Sequence, residues 1–141
     1  MDLTYMTPYV DKLIVFRNGE NLERWLANNM ELALNKVGCY VISAPHYFGS
    51  QIRIGRALKN MKDRLRAHMR SWPDHLDLNC IIIFKDNPES KKHAKILERE
   101  MMNSLKRFRV KKRGVSWYDV PYGEARENFY SQVMSWRYSK L

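Results

Sequence analysis

Tyr40 and Arg53 sit in two apolar stretches, GCYVISA (38–44) and QIRIG (51–55), where a strand bound for a core would carry aliphatic residues. If the two stretches form a hairpin, the residues beside Gly38 and Gly55 can face one another across the strands. Arg64 and His68 are four apart, so they stack on one face of a helix predicted over about 58–70. Glu98 falls inside the apolar arc of Ala94, Leu97, Met101 and Leu105 on a second helix, predicted over 89–107. A carboxylate placed there needs a cation, because desolvating it alone costs several kcal/mol. That cation is either an arginine in a structural salt bridge or a metal ion held against a substrate phosphate. The Arg64–His68 pair is either a solvated helix face or a phosphate contact in a cleft beside the sheet. Tyr40 is either a core tyrosine with one hydrogen bond or part of a sparse polar cluster on an apolar sheet.

The elements that must position these groups follow from periodicity and punctuation. YVDKLIVFR (9–17) predicts a strand, ended by the turn signal NGEN. Residues 20–37 carry Leu22, Trp25, Leu26, Met30, Ala33, Leu34 and Val37 at helical spacing. Residues 38–44 and 51–55 predict a hairpin around PHYFGS. The helix over 58–70 has Leu58, Met61, Leu65 and Met69 as its stripe and stops before Pro73. LNCIIIF (78–84) is the continuous apolar run of a central strand. After the helix over 89–107, FRVKKRG predicts a basic loop or ragged strand and VSWYDV (115–120) a short strand. A last helix over 123–139 carries Ala125, Phe129, Val133 and Trp136. The order ββαβα, with helices added at both ends, predicts an α/β or α+β sandwich, and the hairpin connection predicts a mainly antiparallel sheet.

The 141 residues are enough for one domain with one core. No apolar run is long enough to cross a bilayer, and the N-terminus lacks the apolar segment of a secretory signal. Cys39 and Cys80 both fall in predicted strands and suggest small core residues in a reducing compartment, hence an intracellular protein. The net charge is +10 and unevenly spread. Residues 1–36 carry four basic and five acidic side chains, so the whole excess lies in residues 37–141. A basic surface of this size favours a polyanion, nucleic acid first and an acidic membrane surface second.

Other chemistries find no support. There is no glycine-rich loop of the Rossmann or P-loop type and no G-x-S-x-G. His46, His68, His75 and His93 show no paired spacing for zinc.

GCY at 38–40, RIG at 53–55, Arg64 with His68, and AKILERE at 94–100 together resemble the GIY-YIG nuclease superfamily. FRVKKRGVSWYDV (108–120) is similar to the end of the domain in its phage and viral branch. The resemblance covers residues 37–120, leaving 1–36 as a strand–helix extension and 121–141 as a C-terminal helix. It implies a small, mainly antiparallel three-stranded sheet flanked by helices, and divalent-metal-dependent cleavage of DNA. Tyr40 would act as, or position, the general base for water. Arg64 would stabilise charge on the scissile phosphate, and His68 would assist proton transfer or contact the phosphate. Glu98 would hold a single Mg²⁺ or Mn²⁺. Gly55 would let the backbone pass close to the site. Arg53 departs from the pattern, since the second signature normally opens with tyrosine. It offers a phosphate contact but no base at neutral pH.

On this reading Arg56, Lys59, Arg66, Lys106, Arg107, Arg109, Lys111, Lys112 and Arg113 would grip the DNA backbone. The alternatives are a nucleic-acid-binding module of the same fold without cleavage, and an interaction protein whose basic face binds an acidic partner.

Overall fold

The computed structural model describes residues 9–48, 51–72, 75–112, 114–121 and 124–138, with side chains at all of these except 47, 48, 124, 125 and 134–138. The apolar run becomes β4 (Asp77–Phe84), covered on both faces. It lies between β1 (Val10–Asn21) and β2 (Gly38–Ser43). Beyond β2 come β3 (Ile52–Ala57), then β6 (Val115–Tyr118), then β5 (Arg109–Lys112) at the edge. The order is β1-β4-β2-β3-β6-β5 and every pair is antiparallel.

Among the described residues the sheet therefore has six strands, not the three expected. The basic stretch after the second long helix is a true strand, β5, paired with β6 from Arg109↔Tyr118 to Lys112↔Val115. Its charged side chains suit an edge, where lysine and arginine discourage pairing with another chain. At the other edge, β1 does not stop at Asn18. It crosses an irregularity, with Gly19 at φ 77, and resumes as Glu20↔Leu78 and Asn21↔Asp77.

Alternation along β2 sorts the core into two layers. Cys39 and Val41 join the cluster under α5 (Ser90–Ser104) and α6 (Glu124–Tyr138). Tyr40 and Ile42 join the cluster under α1 (Leu22–Asn28), α2 (Met30–Ala33) and α4 (Met61–Ser71). The helix expected over 20–37 is thus two short ones. Asn29 breaks it by turning its side-chain amide onto the Trp25 carbonyl, 2.8 Å away. PHYF, expected as turn, is a single helical turn, α3 (Pro45–Phe48), with proline at its first position. Asn60 caps α4 by accepting from the Lys62 N–H at 3.1 Å, which starts the helix three residues later than its apolar stripe suggests.

Phe129 and Val133 of α6 are buried as expected, while Ala125 and Trp136 lie outside the described side chains. Cys39 and Cys80 are free and buried. Burial holds the Cys39 thiol well above its ordinary range and pushes the Cys80 thiol up to about 12, so neither is a nucleophile at neutral pH. No described helix is long and apolar enough to cross a membrane.

Candidate active site

Tyr40 points from the middle of β2 toward α4. Its cross-strand partner is Gly55, and a Cβ built there would lie 2.4 Å from the Tyr40 ring. Only glycine at 55 leaves room for the ring. The hydroxyl is 2.6 Å from His68 Nε2, and Arg64 Nε donates to it at 3.2 Å. Because Arg64 occupies a lone pair of the phenol, the phenolic proton is directed to His68 Nε2, which accepts as the Nδ1–H tautomer. Tyr40 is fully buried in this arrangement, while Arg64 is exposed.

The electrostatics are those of a desolvated site ringed by guanidiniums. Burial raises the Tyr40 pKa, and Arg64 then Arg53 partly offset it. Burial, then Arg53 and Arg64, push His68 down to about 3, so the imidazole is neutral at pH 7. Arg53 faces Ile42 across the hairpin on the same side as Tyr40, and its own pKa is lowered by desolvation. It remains a cation.

That buried neutral histidine makes stability depend on pH. An unfolded histidine titrates near 6.5 and His68 near 3, so between these values the unfolded chain binds the extra proton. The His68 contribution is complete above about pH 6.5 and is lost as pH falls toward 3, at about 1.4 kcal/mol per pH unit. His93 is also lowered by burial and adds with the same sign. Urea unfolding should lose about 2 kcal/mol between pH 6.5 and pH 5. A His68→Asn variant should show a flatter profile, and equal slopes in the two proteins would refute a neutral buried His68.

Glu98 and Arg56 occupy the opposite side of β3. Arg53 and Arg56 are three apart, an odd number, so they project to opposite faces of the strand. Arg56 Nη1 donates to Glu98 Oε1 at 3.0 Å. The carboxylate on the α5 arc therefore meets an arginine here, one of the two partners its position demands. Burial raises the Glu98 pKa, against the lowering charges of Arg56, Arg64 and Arg53. β6 pairs with β3 only at Ile52↔Tyr118. From Arg53 to Ala57 no described strand covers the outer edge of β3.

Two grooves open at that edge and share Arg56. One, of about 400 Å³, runs along the start of α4 and includes Lys59 and Arg64. The other, of about 450 Å³, lies between α5 and the β5–β6 ribbon and includes Glu98 and Arg109. Arg66, expected among the DNA contacts, is not brought here. It lines a third groove between α1 and α4, with Met69, Trp72 and His75, and reaches the Met30 sulfur at 3.8 Å. Arg107 is exposed and stacks 4.7 Å over the Phe108 ring. Lys111 and Lys112 lie on the edge strand, and Arg113 is outside the described residues.

Among the described residues no three His, Cys, Asp or Glu side chains gather as a metal cluster. The donor set at Glu98 is one half-buried carboxylate beside cations. It fits a Mg²⁺ or Mn²⁺ that draws its other oxygens from water and substrate phosphate, and does not fit a metal caged by protein alone. What sequence reasoning missed is the pairing of Arg56 with Glu98. Its signal was the parity of Arg53 and Arg56 along one strand.

A family model described as the T5orf172 domain matches residues 38–133, from β2 into α6. This is a phage-associated domain related to nuclease-type modules of the GIY-YIG and HNH-like kinds. No curated protein and no solved structure matches the chain.

Proposed function

We propose that this chain, which belongs to the T5orf172 domain family, is a divalent-metal-dependent DNA endonuclease of the GIY-YIG type. The observation that carries the reading is one hydrogen-bonded phenol–imidazole pair and one half-buried carboxylate within the field of three guanidiniums, at an open sheet edge. Phosphodiester hydrolysis asks for these parts: a proton acceptor for water, cations on the developing charge, and a metal ligand.

In the free protein each reactive group is covered by an arginine, Tyr40 by Arg64 and Glu98 by Arg56. A DNA phosphate offers both guanidiniums a fully charged, bidentate partner. Arg64, turning to the scissile phosphate, uncovers the Tyr40 hydroxyl. That oxygen takes a proton from the attacking water while its own proton passes to His68 Nε2. Burial holds His68 down most, with Arg53 and Arg64 adding to it; the phosphate offsets those two charges, so the imidazole becomes a better acceptor when substrate is bound. Arg53, in place of a second phenol, binds phosphate and moves no proton. Glu98 would hold a Mg²⁺ or Mn²⁺, which when bound supplies Lewis-acid stabilisation of the phosphoryl oxygens.

The test is supercoiled plasmid with Mg²⁺, with Mn²⁺ and with chelator. Nicking should appear with metal and vanish with chelator, while DNA binding persists in both. Tight binding without cleavage under either metal would replace this reading with that of an inactive binding module. Absence of binding would leave neither. Tyr40→Phe keeps the ring and the packing but removes the hydroxyl. It should slow nicking about 10²-fold with DNA affinity in chelator unchanged, measured by single-turnover kinetics and a binding titration.

A further inference from the structure

We infer that the groove between α5 and the β5–β6 ribbon is the track along which the DNA backbone reaches the site, with Lys95, Arg99, Lys106 and Arg109 as its phosphate contacts. This rests on the nuclease reading and adds which of the basic surfaces carries the strand.

The groove holds Arg56, Lys95, Arg99, Lys106 and Arg109 against a single acid, Glu98. Glu98 is itself occupied by Arg56. Lys95, Arg99, Lys106 and Arg109 are exposed, and among the described residues none of the four makes an ion pair. Four basic side chains elsewhere are matched, Lys92 with Glu89, Arg24 with Glu20, Lys36 with Asp86 and Arg17 with Glu127. Others, such as Lys12, Lys91 and Lys111, make no ion pair among the described residues. What sets this groove apart is five cations on one concave surface with a single acid. Unmatched cations lining a concave surface are what a polyanion displaces counterions from.

Spacing agrees. Lys95 and Arg99 are one turn apart on α5, about 6 Å along its axis. With one phosphate per roughly 3.4 Å of duplex axis on each strand, that interval covers about two phosphate steps. Lys106 continues the line past the end of α5, and Arg109 faces it from β5, in register with Tyr118. Glu98 lines the same groove as Lys95 and Arg99, so a strand held by these two runs beside the carboxylate. The groove of Arg66, Arg70 and Trp72 has two cations at the same spacing, but it also contains Glu23 and reaches no member of the candidate site.

The experiment is fluorescence-anisotropy binding of a short labelled DNA duplex in chelator, over a range of salt. Three proteins are compared: the unaltered chain, the Lys95→Gln/Arg99→Gln double variant, and Lys12→Gln/Arg24→Gln. The last has the same charge change on exposed side chains at the β1 end. The unaltered chain should show log affinity falling linearly with log salt. The α5 variant should bind roughly tenfold more weakly at low salt, with a slope shallower by about 2. The β1-end variant should match the unaltered chain. An α5 variant indistinguishable from the β1-end variant overturns the track while leaving the nuclease reading in place. No DNA binding by the unaltered chain overturns both.

Discussion

Gly38→Ala is expected to leave little or no folded protein. Gly38 opens β2, between β3 and β4, and pairs with Ala57 on one side and Ile83 on the other. A Cβ at this position would lie 1.9 Å from the Ile82 carbonyl oxygen and 3.1 Å from the Met61 methyl. The methionine end can swing aside, but the carbonyl is part of the central sheet and cannot. Either β2 withdraws from β4 or the ladder breaks there, and both interior layers hang on that pair of strands. We expect a loss of about 3 kcal/mol or more, against a total stability of about 5–15 for a domain of ordinary stability. The thermal midpoint should drop by about 10 °C or more, or the protein should be recovered only as aggregate. Gly114→Ala is the contrast. Nothing lies within 4 Å of its Cβ, and the cost is only that of a φ of 74, about 1 kcal/mol. A Gly38→Ala protein with an unchanged midpoint would show that the pairing of β2 with β4 is not the one described.

The same close approaches explain what the sequence disclosed. Gly38, Tyr40 and Gly55 were legible because the hairpin is local, and its register follows from alternation over a few residues. Arg64 and His68 were legible because a four-residue interval on a helix fixes a shared face. Glu98 stood out because a carboxylate inside an apolar arc is costly wherever the helix docks. Docking itself was the hidden part. Nothing local says that β4 slips between β1 and β2, or that β1 runs past the Asn18–Gly19 turn signal to meet Leu78 and Asp77. Those pairings are long-range, and they overrode a good turn signal. β5 left loop and ragged strand both open because an edge strand is free to be charged, and charge erases the alternation that marks a strand. Arg56 was assigned to DNA and not to Glu98 because its partner lies on a helix 42 residues later, across a layer that alternation alone does not name.

Glu98→Gln should reduce metal-dependent nicking by about 10³-fold or more, since among the described residues it removes the one carboxylate lining the groove between α5 and the β5–β6 ribbon. The change keeps the volume of the side chain and an oxygen for Arg56, and the pair it weakens is partly solvent-exposed. Stability should therefore shift by less than about 1 kcal/mol. DNA affinity in chelator should rise, not fall, because a negative charge leaves a groove lined by Lys95, Arg99, Lys106 and Arg109. That opposite pair of signs, cleavage down and affinity up, separates a metal ligand from a residue that merely braces Arg56. A structural brace would lose both together. The unaltered protein adds a pH signature. Burial raises the Glu98 pKa, so its carboxylate takes up a proton at a higher pH than an exposed glutamate. Apparent Mn²⁺ affinity, read from nicking at varied metal, should weaken as pH falls through a window above the ordinary glutamate range. Arg56→Gln removes a cation that competes with the metal and should strengthen apparent Mn²⁺ affinity at neutral pH. If Glu98→Gln nicks plasmid at the unaltered rate, Glu98 is not the metal ligand.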